Sequence, residues 1–356
     1  MRVGIVTDGL FPHAVGGIQR HTAHLAPELA ARGASVEVIV PEGHDPGGLP
    51  YDVLSLPWPR SAVYPLALRR WAARCARAVG TRDYDVVLGQ GLNLWGLLPD
   101  GSPPELFHPH GLEMCTVREP IARMKAWPLR RAARREAARA VAVVSLGGKL
   151  SKVIEESLRV PRSRIVTIPN GVDTSEFVPG GAAEPSTILW VGRFFMNKAP
   201  DRMLEVFRRM TTPEARLILV GDGPMRPALE ARSPPGVTFA GAVGERELHE
   251  LYRRATVVAV PSRDDGMPTV ILEAFACGCP AVAFDVGAIA ELVDDTTGEL
   301  VAQGDLDAMA AAVDALLADP ARRAAAAAAA RARAEQHFAW PAVAARTLKV
   351  LEELRR

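Results

Sequence analysis

The chain of 356 residues is 48% hydrophobic and 23% charged, and 42 Lys+Arg against 41 Asp+Glu leave a net charge of +1. That balance describes a soluble globular protein of about two domains and excludes both a disordered chain and one whose overall charge serves nucleic acid. Cys75, Cys115, Cys277 and Cys279 contain no C-x-x-C pair and read as reduced thiols, no apolar run reaches the roughly 18 residues of a spanning helix, and MRVGIVTDGLFP enters a strand with no leader-like segment, so a cytoplasmic location is expected.

Short β-branched runs alternate with longer helical patterns from end to end, the signature of an α/β fold with parallel sheets built from βαβ units. In the first half the expected strands are Val3–Thr7, Val36–Val40, Val86–Gly89, Leu106–Pro109, Val141–Ser145 and Ile165–Ile168. In the second they are Ile188–Gly192, Leu217–Val220, Val237–Ala240, Val257–Val260 and Ala281–Phe284. Between the two sheets Val172–Ser186, rich in Gly, Pro and Ser and without a sustained apolar period, reads as the linker. Asp319-Pro320 supplies an N-cap and a first-turn proline for an Ala-rich helix through Ala324–Ala330, and the amphipathic segment Trp340–Leu354 closes the chain. Ligands bind beyond the carboxyl ends of strands in open parallel sheets. There fall Gly16-Gly17, His110-Gly111, Asn170-Gly171, Arg193 to Lys198, Gly221 to Gly223 and Ser262 to Glu273, which two sheets facing each other would gather on one cleft.

The segment PSRDDGMPTVILEAFACGCP, Pro261–Pro280, places Asp265 in a Gly-Met-Pro turn and Glu273 eight positions on, where the pattern is helical. Ionised carboxylates grip vicinal hydroxyls, and a helix start favours phosphate; a nucleotide sugar carries both groups. Arg193 and Lys198, directly after a strand, suit a diphosphate on which negative charge grows, although such a pair by itself is commonly solvated. Gly16 and Gly17 would let backbone approach a phosphate or sugar, or form a plain βα turn. His110 could donate to a substrate hydroxyl or be structural.

Other motifs read as structural. His108-x-His110 and His21-x-x-His24 lack the partners of a zinc site, so no metal is expected. Asp83-x-Asp85 and Asp305-x-Asp307 precede a strand and a helix start. Gly221-Asp222-Gly223 lacks the third glycine of a dinucleotide fingerprint, and Gly147-Gly148-Lys149 lacks the earlier glycine of a P-loop, so no cofactor is expected. Between Arg118 and Arg139 eight basic residues stand against two acidic ones, a local +6 that leaves −5 elsewhere. A solvated helical face interrupted by Pro128 is the simpler reading; weak peripheral contact with anionic lipid, at the inner face of the membrane, is the other.

Taken in order, FPHAVGGIQRH, HGLE, VVSLGGKL, IPNGVDTSEF, WVGRFFMNK, LVGDGPMRPALE, VTFAGAV, ELYRRATVVAVPS, DGMPTVILEAFACGCPAV and FAWPAVAARTL run over nearly the whole chain, which resembles a retaining glycosyltransferase of the GT-B fold, family 4. The resemblance implies two Rossmann-like parallel-sheet domains facing a cleft: residues 1–172 on the acceptor side, 173–338 binding the nucleotide sugar, and a helix of 339–356 returning to the N-terminal domain. It further implies that Arg193 and Lys198 bind the donor diphosphate, that Glu273 holds the ribose hydroxyls, and that Asp265 contacts the transferred sugar. Gly266, Met267 and Pro268 would cradle that sugar, Thr269 would join them in binding the donor, Gly16 and Gly17 would lie near phosphate and acceptor, and His110 would touch sugar. The partners implied are a UDP- or GDP-linked sugar and a carbohydrate, lipid or small-metabolite acceptor. A nucleotide-sugar epimerase of related fold, or a non-catalytic sugar-binding subunit, is the alternative. Two departures from the family pattern stand out: Asp265 stands where glutamate is usual, and Ala199-Pro200 follows Lys198 where glycine is common.

Overall fold

The computed structural model describes residues 1–13, 17–116, 120–181 and 184–355. They form two compact units, Met1–Pro169 with Trp340–Arg356, and Asn170–Ala339.

The first unit runs β1 (Arg2–Val6), α1 (Gly17–Ala31), β2 (Ser35–Pro41), β3 (Asp52–Leu56), α2 (Tyr64–Gly80), β4 (Val86–Gln90), β5 (Glu105–His108), α3 (Glu113–Thr116), α4 (Pro120–Arg139), β6 (Ala142–Ser145), α5 (Gly148–Val153) and β7 (Ile165–Thr167). Its described strands pair in parallel in the order β3-β2-β1-β4-β5-β6-β7. The inner strands are covered on both faces, which is why they read as continuous Val, Ile and Leu.

The second unit runs β8 (Thr187–Val191), α6 (Pro200–Arg209), β9 (Arg216–Val220), α7 (Arg226–Glu230), β10 (Val237–Gly241), α8 (Glu245–Arg254), β11 (Val257–Val260), α9 (Thr269–Ala276), β12 (Ala281–Phe284), β13 (Gly298–Val301), α10 (Leu306–Ala318) and α11 (Pro320–Arg333). Its parallel order is β10-β9-β8-β11-β12-β13. Asp305 and Asp319 cap α10 and α11, accepting from Ala308 N at 2.9 Å, and from Ala321 N and Arg322 N at 3.0 and 2.9 Å.

A last helix, α12 (Trp340–Arg355), belongs to the first unit. It buries Trp340, Val343, Ala344 and Leu351 in the same core as Leu25, Ala26 and Leu29 of α1. Trp340 stacks on His24, ring centroids 5.2 Å apart. Among the described residues no helix is long and apolar enough to cross a membrane.

Three features differ from the sequence reading. β3 and β13 are additional strands at sheet edges, where one flank lacks a neighbour and the run is short and half-exposed. The division falls at Pro169/Asn170 rather than at 172, because Asn170 is tied into the second unit, its Nδ2 donating to Met267 O at 2.8 Å. Val172–Ser186 is no loose linker: Val172 bridges Ala339, Arg331 donates to the carbonyls of Thr174 and Phe177 at 3.1 and 2.8 Å, and Glu184 N donates to Arg254 O at 2.8 Å. These backbone groups are satisfied within the second unit.

Candidate functional site

β8 and β11 are neighbours, so the loops that leave their carboxyl ends meet. That adjacency brings Lys198 and Asp265 together across 67 positions, with Nζ 2.7 Å from Oδ2. Asp265 is the more enclosed partner, its side chain 9% exposed against 26% for Lys198. Ser262 Oγ donates to the same Oδ2 at 3.2 Å and Gly266 N donates to Oδ1 at 3.0 Å, so both carboxylate oxygens are oriented. Arg193 lies exposed on the Lys198 loop, its guanidinium 5.4 Å over the ring of Phe195.

The Lys198 loop closes with Lys198 N donating to Phe195 O at 3.1 Å, then enters α6 through Ala199 and Pro200. Ala199 takes the left-handed conformation, φ 55°, in which a methyl costs about 1 kcal/mol over glycine. Proline then occupies the first helical position, where no N–H is required. Gly221 and Gly223 pack on this loop: a Cβ on the first would stand 2.0 Å from Gly192 O and on the second 2.9 Å from Phe194 O. Close backbone packing explains these glycines without a nucleotide motif.

Glu273 projects from α9 and accepts from Tyr252 Oη at 2.7 Å. Burial, and then the Glu273 charge, push the Tyr252 phenol well up, so it stays a donor. Met267 and Pro268 are buried, Gly266 half-buried and Thr269 exposed at the first position of α9. No side chain caps that helix, so its first-turn N–H groups suit an anion.

In the first unit Gly16 lies outside the described residues, while Gly17 opens α1, and a Cβ there would meet nothing within 4 Å. His110 follows β5 in the left-handed region, φ 56°, half-buried and stacked on His108 with centroids 3.7 Å apart. His21 meets both rings edge-on at 5.1 and 4.8 Å. Burial first, and neighbouring imidazoles second, hold His108 and His110 well below the ordinary range. Burial takes His21 to about 4. All three are therefore neutral near pH 7.

Gln90 Nε2 donates to Thr22 Oγ1 at 2.8 Å, which leaves Gln90 Oε1 to accept from His110 Nε2 at 2.7 Å. The neutral His110 ring then offers Nδ1 as an acceptor. Donation to a hydroxyl, the role read from sequence, is not available from that tautomer. Among the described residues no group of three or more His, Cys, Asp and Glu is placed to hold a metal ion.

Sequence reasoning passed over Tyr252, Ser262, the Asp201–Arg263 pair and a buried carboxyl pair, Glu105 and Glu136. The one tyrosine of α8, beside Leu251 and four residues after Leu248 in a largely charged helix, was the available signal for Tyr252. The carboxyl pair had none, because Glu136 sits in an arginine-rich run.

Two family models match the chain: Glycosyltransferase Family 4 over residues 15–176 and Glycosyl transferases group 1 over 185–319. A D-inositol 3-phosphate glycosyltransferase of Xylanimonas cellulosilytica is 37% identical over 213 residues, 52% of this chain and 51% of the relative, so the chain spans about half the length of such relatives. A GDP-mannose-dependent alpha-(1-6)-phosphatidylinositol monomannoside mannosyltransferase of Mycolicibacterium smegmatis is 29% identical over 79% of each chain. The sucrose-phosphate synthase of Thermosynechococcus elongatus has the same fold, with a TM-score of 0.83 at 21% identity over 99% of this chain and 98% of that one.

Proposed function

Because the chain belongs to family 4 of the glycosyltransferases, with the two Rossmann-like parallel-sheet domains of the GT-B fold, we propose that it moves a hexosyl unit from a UDP- or GDP-linked sugar to an acceptor hydroxyl or amine, with retention at the anomeric carbon. The observation that carries this reading is the Lys198–Asp265 pair at the carboxyl ends of β8 and β11, beside the uncapped start of α9. Diphosphate there meets Lys198, Arg193 and the helix pole, which stabilise charge on the leaving group. Asp265 and the Gly266–Thr269 backbone hold the sugar, and Glu273, fixed by Tyr252, grips the ribose hydroxyls.

No obvious nucleophile appears in the matched motifs, with the Asp265 carboxylate engaged by Lys198, Ser262 and Gly266, so attack on the same face, assisted by the departing phosphate, is the favoured path. The Mycolicibacterium relative's dependence on GDP-mannose supports a nucleoside diphosphate donor, and the relatives' names span inositol phosphate and phosphatidylinositol acceptors. A carbohydrate, lipid or small-metabolite acceptor fits. The epimerase and non-catalytic readings have no observation in their favour.

The test is a panel of UDP- and GDP-linked hexoses, read by thermal shift and by turnover. A true donor raises the melting temperature, since it binds only the folded state. Lys198→Ala should abolish most of that rise and lower turnover about a hundredfold. Donor converted to an epimer without acceptor, or unchanged turnover in the variant, would sink the assignment.

Peripheral contact with anionic lipid belongs to the same reading. α4 exposes Ile121 (67%), Met124 (70%) and Trp127 (59%), one helical stripe that Arg131, Arg134 and Arg135 continue.

A further inference from the structure

The loop carrying Lys198 and the turn carrying Asp265 are fastened to each other a few residues from that pair. Arg263 N donates to Asn197 O at 2.8 Å and Asp264 N to the same carbonyl at 3.3 Å. The Arg263 side chain extends the attachment: Nη1 donates to Met196 O at 3.1 Å and to Asp201 Oδ1 at 2.7 Å, while Nη2 donates to Asp201 Oδ2 at 2.6 Å. Asp201 stands in the first turn of α6, three residues after Lys198, where a carboxylate is also favoured by the helix pole. From the far side Gln303 Nε2 donates to Arg263 O at 2.7 Å. The two side chains are 29% and 21% exposed, so the fork is partly shielded from water. Three guanidinium hydrogens of Arg263 go to Asp201 and Met196, so most of its charge is answered within the protein. What remains is geometry.

We propose that Arg263 and Asp201 form a positioning clasp for the donor site, holding the Arg193–Lys198 loop against the Ser262–Gly266 turn so that Lys198 and Asp265 are paired and placed before the nucleotide sugar arrives. The proposal rests on the donor-site reading above. Preorganised charges cost no rearrangement at the moment of reaction, and a misplacement of about 1 Å can cost on the order of a hundredfold in rate. A planar fork that meets a carboxylate at two points fixes angle as well as distance, which a lysine in its place would not.

The test compares Arg263→Met, Asp201→Asn, Arg263→Lys and the exchanged pair Arg263→Asp with Asp201→Arg, each checked by melting temperature. Without any ligand, acylation of the Lys198 amine, followed by mass spectrometry, should quicken several-fold in both single neutral variants as Lys198 leaves Asp265. With donor and acceptor, kcat should fall roughly ten- to a hundredfold in the same two variants. The exchanged pair should recover part of both, and Arg263→Lys should fall between. Should the neutral variants fail to fold, Arg263→Lys and the exchanged pair still decide.

Folded variants whose Lys198 labelling matches wild type overturn the clasp, as does faster labelling with unchanged kcat. Wild type that takes no nucleotide sugar sinks the donor-site reading, and the clasp's role with it. Wild type that turns donor over while both neutral variants keep pace sinks the clasp alone.

Discussion

Gly287 holds the Asp265–Gly266 turn in place by having no side chain. Its φ is +55°, and a Cβ there would stand 2.0 Å from Asp265 O and 2.5 Å from Gly266 O, backbone atoms that cannot swing aside. Ala288 N then donates to Gly266 O at 2.8 Å and closes the contact. Gly287→Ala should cost about 1–3 kcal/mol for the left-handed backbone alone, with the clash added, and should remove the donor-induced rise in melting temperature. Gly17→Ala meets no atom within 4 Å and should melt like wild type, losing donor affinity only if a phosphate crosses that backbone. Equal melting of the two variants would show that the turn yields. As candidates, Asp265 with Glu273 and Lys198 with Arg193 were legible in sequence because each pair is closely spaced; the meeting of Lys198 with Asp265 across 67 positions was not. Gly287 was not, because its reason is a backbone 22 residues earlier that only the packing of β11 on β12 brings near.

At the scale of elements, the sequence announces the strands that are buried on both faces, but of the four edge strands it announces only Ile165–Thr167 and Val237–Gly241. Ile188–Val191 and Val257–Val260 are visible as unbroken apolar runs. Asp52–Leu56 and Gly298–Val301 alternate or mix polarity because an edge strand has water beside it. α4 is a helix whose two halves do different things. Its C-terminal half buries Ala132, Ala133, Glu136 and Ala137, while Ile121, Met124 and Trp127 in its first turns lie open. Arg131 sits 5.9 Å over the Trp127 ring, so cation and aromatic face solvent together. Each basic side chain near an anionic surface contributes about 1 kcal/mol, enough collectively for salt-sensitive binding. Vesicles containing phosphatidylglycerol should retain the protein at low salt and release it at high salt, and Met124→Ser with Trp127→Ser should weaken retention. No retention at low salt would leave α4 a solvated face.

Over the whole molecule, the groups that titrate near neutrality are concentrated in the first unit, and they pull in opposite directions. His21, His108 and His110 take up protons in the unfolded chain below about 6.5 but resist them when folded, His21 until about 4. The unit therefore loses stability as pH falls through that window. Glu105 and Glu136 carry the opposite sign. Burial pushes Glu105 up to about 8, and burial together with the Glu105 charge pushes Glu136 well above its ordinary 4.5. What their protonated forms contribute is complete below 4.5 and is lost as pH rises through 8. In the second unit the Asp294 carboxylate, whose burial is outweighed by bonds from Thr296 and Arg333, is held at about 2, so its contribution persists until strong acid. Calorimetry should resolve two transitions, since a two-unit chain need not melt as one. The transition of the first unit should move down on both sides of neutrality while the other holds between about pH 5 and pH 9. Glu136→Gln removes the carboxyl that must stay protonated, so it should raise the first unit's transition at about pH 9 and change it little at about pH 4, where the unfolded carboxyl is protonated too. A variant that lowers that transition equally at both pH values would mean the pair is ionised and satisfied in the folded state, and the alkaline arm would then need another source.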